Sequence, residues 1–306
     1  MADASFSRML IPLDGSKTSE NVLPYARTLV RNLQIPVEFM EAIDVARVAM
    51  HTSAEKSIHL DTLAGDIERK SENYLRKIAE SFSRTAVQCT VARGKAENAI
   101  IDKAAADERA LIAMATHGRS GISRWLLGSV AEKVLRGARN PLFLVRASQD
   151  AQTEGEADIK SIIVTLDGSE LAESVLPTAI NLARLLDLEV ILFRAYELPA
   201  AAYYGNEDHL PDYDELKNQV KQEAGAYLDA KAAAIKAGGI EKVSSALMEG
   251  PGPGEIITFA QKTPNAVVAM CTHGRSGVQR WMLGSVTERV LRHSGDPESA
   301  VGCWEA

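Results

Sequence analysis

Met114 to Arg136 reads MATHGRSGISRWLLGSVAEKVLR, and Met270 to Arg292 reads MCTHGRSGVQRWMLGSVTERVLR. Seventeen of these twenty-three positions are identical. The hexapeptide THGRSG stands in both, at Thr116–Gly121 and Thr272–Gly277, 156 positions apart. Upstream, LIPLDGSKTSENVLPYA from Leu10 matches IVTLDGSELAESVLPTA from Ile163 at an offset of 153. Three residues therefore enter the second copy between the two matched blocks. KAGGI (Lys236–Ile240), where a helical pattern ends, is the expected place. A period this long exceeds the roughly 20–50 residues of solenoid repeats and marks a duplicated domain.

Each copy alternates short apolar runs with amphipathic stretches. In the first, Met9–Leu13, Val37–Ala42, Val87–Ala92, Leu111–Ala115 and Leu142–Val145 read as strands. Val22, Ala26, Leu29, Val30 and Leu33 recur at helical spacing, and further helices are expected over 57–83, over Glu97–Ala106 and from Val130. Apolar strands separated by helices imply a parallel sheet covered on both faces, wound by right-handed crossovers. The expected fold is α/β: two tandem doubly wound, Rossmann-like domains, each with a mostly parallel five-stranded sheet. They span 1–147 and 160–306, and the polar, acidic stretch 148–159 is read as a linker. The copies diverge at the end. Glu298 and Ser299 align with Leu142 and Phe143, so the second domain is expected to have a poor fifth strand, frayed or displaced.

The chain has 306 residues, 46% hydrophobic and 25% charged, with a formal net charge of −7. That balance argues against a general nucleic-acid or anionic-membrane surface, while allowing one small anion held by local donors. Three cysteines, Cys89, Cys271 and Cys303, fit a reducing compartment. No apolar run is long enough to span a bilayer, and the expected location is cytoplasmic.

THGRSG follows the fourth strand and LDGS follows the first. In doubly wound sheets, ligands sit outside the strand ends where the winding reverses, so neighbouring first and fourth strands would bring both loops to one crevice. Gly-Ser then opens a helix in each copy, with Ser129-x-x-Glu132 and Ser285-x-x-Glu288 reading as capping boxes. Amides at a helix start, approached through Gly118, Gly121 and Gly128, suit an anion. GPGPGE (Gly250–Glu255) lacks the third glycine of a dinucleotide fingerprint and reads as a turn. No Walker-type Gly-x4-Gly-Lys-(Ser/Thr) occurs.

These residues resemble the universal stress protein family in its tandem form, over nearly the whole chain. Its ATP-binding branch carries Gly-x2-Gly-x9-Gly-(Ser/Thr). Gly118 and Gly128 match the second and third glycines, followed by Ser129 and Val130. Gly274 and Gly284 do so in the second copy, followed by Ser285 and Val286. The first glycine is Ala115 in one copy and Cys271 in the other. The resemblance implies a nucleotide-dependent stress protein that binds ATP, with Mg²⁺ on its phosphates, at the C-terminal ends of strands one and four. It places Asp14 and Asp167 by the adenosine, and Ala42 and Ala195 beside the base. Pro12, His117, Arg119, Gly121, His273, Arg275 and Gly277 complete the ATP-binding set. Ala115 departs less from glycine than Cys271 does, so the first copy is expected to bind at least as strongly. No general base is evident, so no catalytic residue is assigned and at most weak ATPase activity is expected. A slow ATP-hydrolysing enzyme and a nucleotide-independent adaptor are the alternatives. The expected partners are a nucleotide and an unidentified protein, with neither nucleic acid nor membrane. The two domains are expected to pair as a pseudo-dimer through the edge strand, with a homodimer as a further possibility.

Overall fold

The computed structural model describes residues 6–44, 60–116, 128–147, 152–197, 213–271, 285–293 and 300–304. The first copy runs β1 (Arg8–Pro12), α1 (Lys17–Glu20), α2 (Leu23–Leu33), β2 (Val37–Ile43), α3 (Leu60–Ala79), a 3-10 turn (Glu80–Phe82), β3 (Val87–Arg93), α4 (Ala96–Ala105), β4 (Ala110–Thr116), α5 (Ser129–Gly137) and β5 (Leu142–Arg146). The second runs β6 (Ser161–Thr165), α6 (Glu170–Glu173), α7 (Leu176–Leu186), β7 (Glu189–Tyr196), α8 (Tyr213–Ala237), β8 (Val243–Glu249), α9 (Gly252–Lys262), β9 (Ala266–Cys271) and α10 (Ser285–His293). A last strand, β10, covers Ala300–Trp304.

Contacts divide the chain into two compact units. Described residues up to Asp158, with β10, form one. Ile159–Cys271 and α10 belong to the other. In the first unit five parallel strands lie in the order β3-β2-β1-β4-β5. Met9, Leu10 and Ile11 are all fully buried, as a sheet covered on both faces requires. In the second unit four parallel strands lie in the order β8-β7-β6-β9.

These strands correct one expectation about the second copy and decide another. Among the described residues its parallel sheet has four strands, not five. Its expected fifth strand, read as frayed or displaced, is displaced: β10 forms a ladder on β5 of the first unit, antiparallel, with Ala300 opposite Val145 and Cys303 opposite Leu142. The reason is a shift of two positions. Glu298 and Ser299, which align with Leu142 and Phe143, precede the strand, and the run Ala-Val-Gly-Cys-Trp supplies it.

The three extra residues lie where the helical pattern ends. On the long helices buried Leu75 and Leu228 match at offset 153, and so do buried Phe82 of the 3-10 turn and Ile235 of α8. Four residues (83–86) then lead into β3, whereas seven (236–242) lead into β8. The strand register absorbs the difference: Val37 pairs with Val87 and Val190 with Val243. Residues 152–158, from the stretch read as a linker, lie along α2. Arg27 donates to the carbonyls of Thr153 and Gly155 at 2.9 and 2.8 Å, and the Thr28 hydroxyl donates to Ala157 at 2.7 Å.

Candidate functional site

The strand orders put the reversal of winding between β1 and β4, and between β6 and β9. Register places Leu10 beside Ile112 and Val164 beside Ala269. The LDGS loop therefore opens beside the end of the fourth strand in both copies, as expected. Pro12 is buried at the end of β1, and Ala42 and Ala115 are half-buried near the ends of β2 and β4. Ala195 is half-buried near the end of β7, and Cys271 is buried at the end of β9. His117, Gly118, Arg119, Gly121, His273, Gly274, Arg275, Gly277 and Gly284 lie outside the described residues.

The LDGS loop has a structure its spelling explains. The Asp14 carboxylate accepts from the Ser16 amide at 3.0 Å and the Ser16 hydroxyl at 2.6 Å. Asp167 does the same with Ser169, at 2.9 and 2.6 Å. These are Asx turns. The intervening Gly15 and Gly168 have φ of +77° and +85°, a region that side chains with a Cβ rarely adopt. Ser16 then caps α1, accepting from the Ser19 amide at 3.1 Å, and Ser169 caps α6, accepting from Ala172 at 3.1 Å. The two serines were not singled out from sequence, although the Ser-x-x-Ser and Ser-x-x-Ala spacings allow an N-cap.

The capping box expected at Ser129 requires correction, whereas the one expected at Ser285 adjoins Gly284, outside the described residues. Gly128, with φ of +29°, is the N-cap of α5, and no side chain caps that end. Ser129 is the first helical residue and is exposed, with Val130 half-buried behind it. Glu132 pairs with Arg136 one turn on, at 3.2 Å. In the second copy the described part of α10 begins at Ser285, with Ser285 and Val286 exposed. The start of α5, without a side-chain cap, leaves amides in the first turn for another acceptor. The Thr287 hydroxyl of α10 donates to the Cys271 carbonyl at 2.8 Å, tying that helix to the end of β9.

One wall of each crevice differs in charge. In the first unit Glu41 of β2 is half-buried. Burial raises its carboxyl above the ordinary range, a hydrogen bond from Ser71 of α3 opposes this, and the Asp14 charge adds to it. Tyr74 of α3 donates to Glu20 at 3.0 Å. Burial, then the Glu20 charge, pushes the Tyr74 phenol up. In the second unit Tyr227 donates to Glu173 at 2.8 Å, and Lys231 pairs with Glu173 at 2.6 Å. The position of Glu41 is held by Arg194. Its guanidinium lies 5.0 Å from the Tyr227 ring centre, and a Cβ built on Gly168 would meet it at 3.3 Å. Among the described residues no group of three His, Cys, Asp or Glu side chains is placed to hold a metal ion. No helix among them is long and apolar enough to cross a membrane.

The family model that matches the chain is that of the universal stress protein family, at residues 5–146 and again at 158–297. A universal stress protein of Methanocaldococcus jannaschii is 30% identical over 146 residues, 47% of this chain and 82% of that protein. One of Bacillus subtilis is 25% identical over 150 residues, 46% of this chain and 99% of that protein. The crystal structure of a universal stress protein from Archaeoglobus fulgidus superposes with a TM-score of 0.67 at 19% identity, covering 98% of each chain. That likeness concerns the fold.

Proposed function

Because the chain belongs to the universal stress protein family, with two copies of its domain, we propose that it is a nucleotide-dependent stress protein with one ATP site in each copy. The observation that carries this reading is the pairing, found in both units, of an Asp-Gly-Ser turn with a neighbouring strand end, where the winding reverses. A helix opens beside it at Ser129 or Ser285. In the proposed site the adenosine lies by Asp14 or Asp167 and beside Ala42 or Ala195. The phosphates meet the first amides of α5 or α10, where partial positive charge collects. The Ser129 and Ser285 hydroxyls supply further donors. Mg²⁺ would accompany the phosphates and neutralise part of their charge.

Holding a nucleotide at micromolar affinity takes about 8 kcal/mol, which several converging amides and a covered base can supply. Turnover would need an activated water, and the described residues show no base placed for it. The proposed role is therefore a nucleotide-held state read by a protein partner, with ATP turnover below roughly one per minute, far under the usual enzyme range of about 1–10³ s⁻¹. Calorimetry with ATP on the full chain tests the reading. Gly128→Val with Gly284→Val, or the milder Ser129→Asp with Ser285→Asp, is expected to abolish the binding isotherm while circular dichroism stays native. Unchanged affinity in both double variants overturns it.

A further inference from the structure

We propose that the two nucleotide sites discriminate differently by charge, with Arg194 making the second the stronger and more salt-sensitive site for anionic nucleotides, an inference that rests on the nucleotide reading above. The positions are equivalent. Glu41 and Arg194 lie 153 residues apart, the offset that relates Asp14 to Asp167, Glu20 to Glu173 and Tyr74 to Tyr227. Both precede the alanine assigned to the base, Ala42 in one copy and Ala195 in the other.

Around Tyr74 the described residues gather the carboxylates of Glu20 and Glu41, with Asp14 beside Glu41. Around Tyr227 it gathers Asp167 and Glu173 with Arg194 and Lys231. Three carboxylates in one copy thus face two carboxylates offset by two cations in the other. Lys231 is taken up by Glu173 at 2.6 Å. Arg194 instead rests on an aromatic face and against the Gly168 turn, which is the mouth of the crevice. A guanidinium stacked on a ring keeps its in-plane N–H groups available to an acceptor, which is how arginine commonly reads phosphate and base oxygens. A carboxylate at the same place repels an anionic ligand as it approaches.

The ranking is opposite to the one drawn from Ala115 and Cys271. Ala115 and Cys271 bear only on backbone access at the first motif position. The charge reversal between Glu41 and Arg194 acts on the ligand's net charge, whatever the loop geometry.

The test uses the full chain with one site silenced at a time. Ser285→Asp leaves the first site and Ser129→Asp the second. Both replace an exposed residue at a helix start, where an acidic side chain suits the fold. ATP and neutral adenosine are titrated into each chain at low and at moderate salt, with magnesium held constant. The preference for ATP over adenosine is expected to be about tenfold larger in the second site and to shrink as salt rises. Arg194→Glu in the Ser129→Asp chain is expected to lower that preference by about tenfold, and Arg194→Lys to retain most of it. Glu41→Arg in the Ser285→Asp chain is expected to raise it. If ATP binds both single-site chains with equal preference and Arg194→Glu changes nothing, the charge assignment is overturned and the nucleotide reading stands. If ATP binds neither chain, both fall together.

Discussion

Under the first strand of each unit lies the same patch of sheet and helix, filled with opposite chemistry. In the first unit Glu38 is 3% exposed and pairs with Arg8 and with Lys103, at 2.7 Å from the latter. It also accepts from the Thr90 hydroxyl at 2.6 Å. The matching positions in the second unit are Ile191, Ser161, Phe259 and Ala246. There Phe259 packs on Phe193 with ring centres 5.1 Å apart. The strand order and register are the same in both. A fold of this kind therefore requires that the space be filled and every buried polar atom be met, and it accepts either solution. What it does not accept is a mixture, because a buried charge without its partner costs more than the pair contributes.

That comparison is most easily broken by crossing the two chemistries. Ile191→Glu puts a carboxylate where Ser161, Ala246 and Phe259 offer none of the cations that Glu38 has. It is expected to cost about 4 kcal/mol or more, seen as loss of the second unit's cooperative transition in urea. Glu38→Ala leaves Arg8 and Lys103 facing an empty, half-dry space. It is expected to cost about 3 kcal/mol, confined to the first unit. Replacing the whole set at once, with Arg8→Ser, Glu38→Ile, Thr90→Ala and Lys103→Phe, is expected to leave the melting temperature within a few degrees of wild type. A large loss there would show that the ionic cluster is favoured in its own right.

A fourth variant sharpens the contrast at the sheet edge. Removing 300–306 uncovers the outer backbone edge of β5, whose Leu142 to Val145 are buried. The expected cost is about 2 kcal/mol in the first unit, with increased light scattering on heating, since an unpaired apolar edge invites association. An unchanged melt would mean that the ladder contributes little.

The smallest effect concerns Glu41. Its carboxyl is raised by burial first and by Asp14, so its ionised form is disfavoured in the folded chain. Stability is therefore lost as pH rises from the ordinary carboxylate value through the raised one. Glu41→Gln lacks this term. It is expected to melt slightly above wild type at pH 7, with the gap closing near pH 4. A gap independent of pH would place the effect in packing.

How much of this was legible depended on whether the cause was local. The duplication, the strand-helix alternation and the three-residue insertion at 236–242 were all readable, since apolar spacing and repeat offsets are local patterns. Glu38 was not. It sits inside the strand run Val-Glu-Phe-Met-Glu, where nothing local marks a buried charge, and its partners lie 30, 52 and 65 positions away. The serines were misassigned for a related reason. Ser129 fits a capping box by spelling, but Gly128 takes the cap with a left-handed φ, while Ser16 and Ser169 cap helices only four residues long, whose apolar pattern is too short to notice. The Glu41–Arg194 reversal was visible in the aligned repeats. Only the placement of Arg194 against Gly168 gave it meaning.

The pairing of β10 with β5 also has a consequence for how the chain is made. A ribosome working at about 5–20 residues per second needs about 8–30 s to travel from β5 to β10. Throughout that interval Leu142–Arg146 can be fully synthesised, and its parallel neighbour β4 in place, while its other edge still waits for a strand encoded about 150 codons downstream. The first unit is thus the first to be translated and the last to be closed. During synthesis its exposed edge is the natural point of contact for a chaperone or, on a crowded polysome, for the same strand of a neighbouring nascent chain.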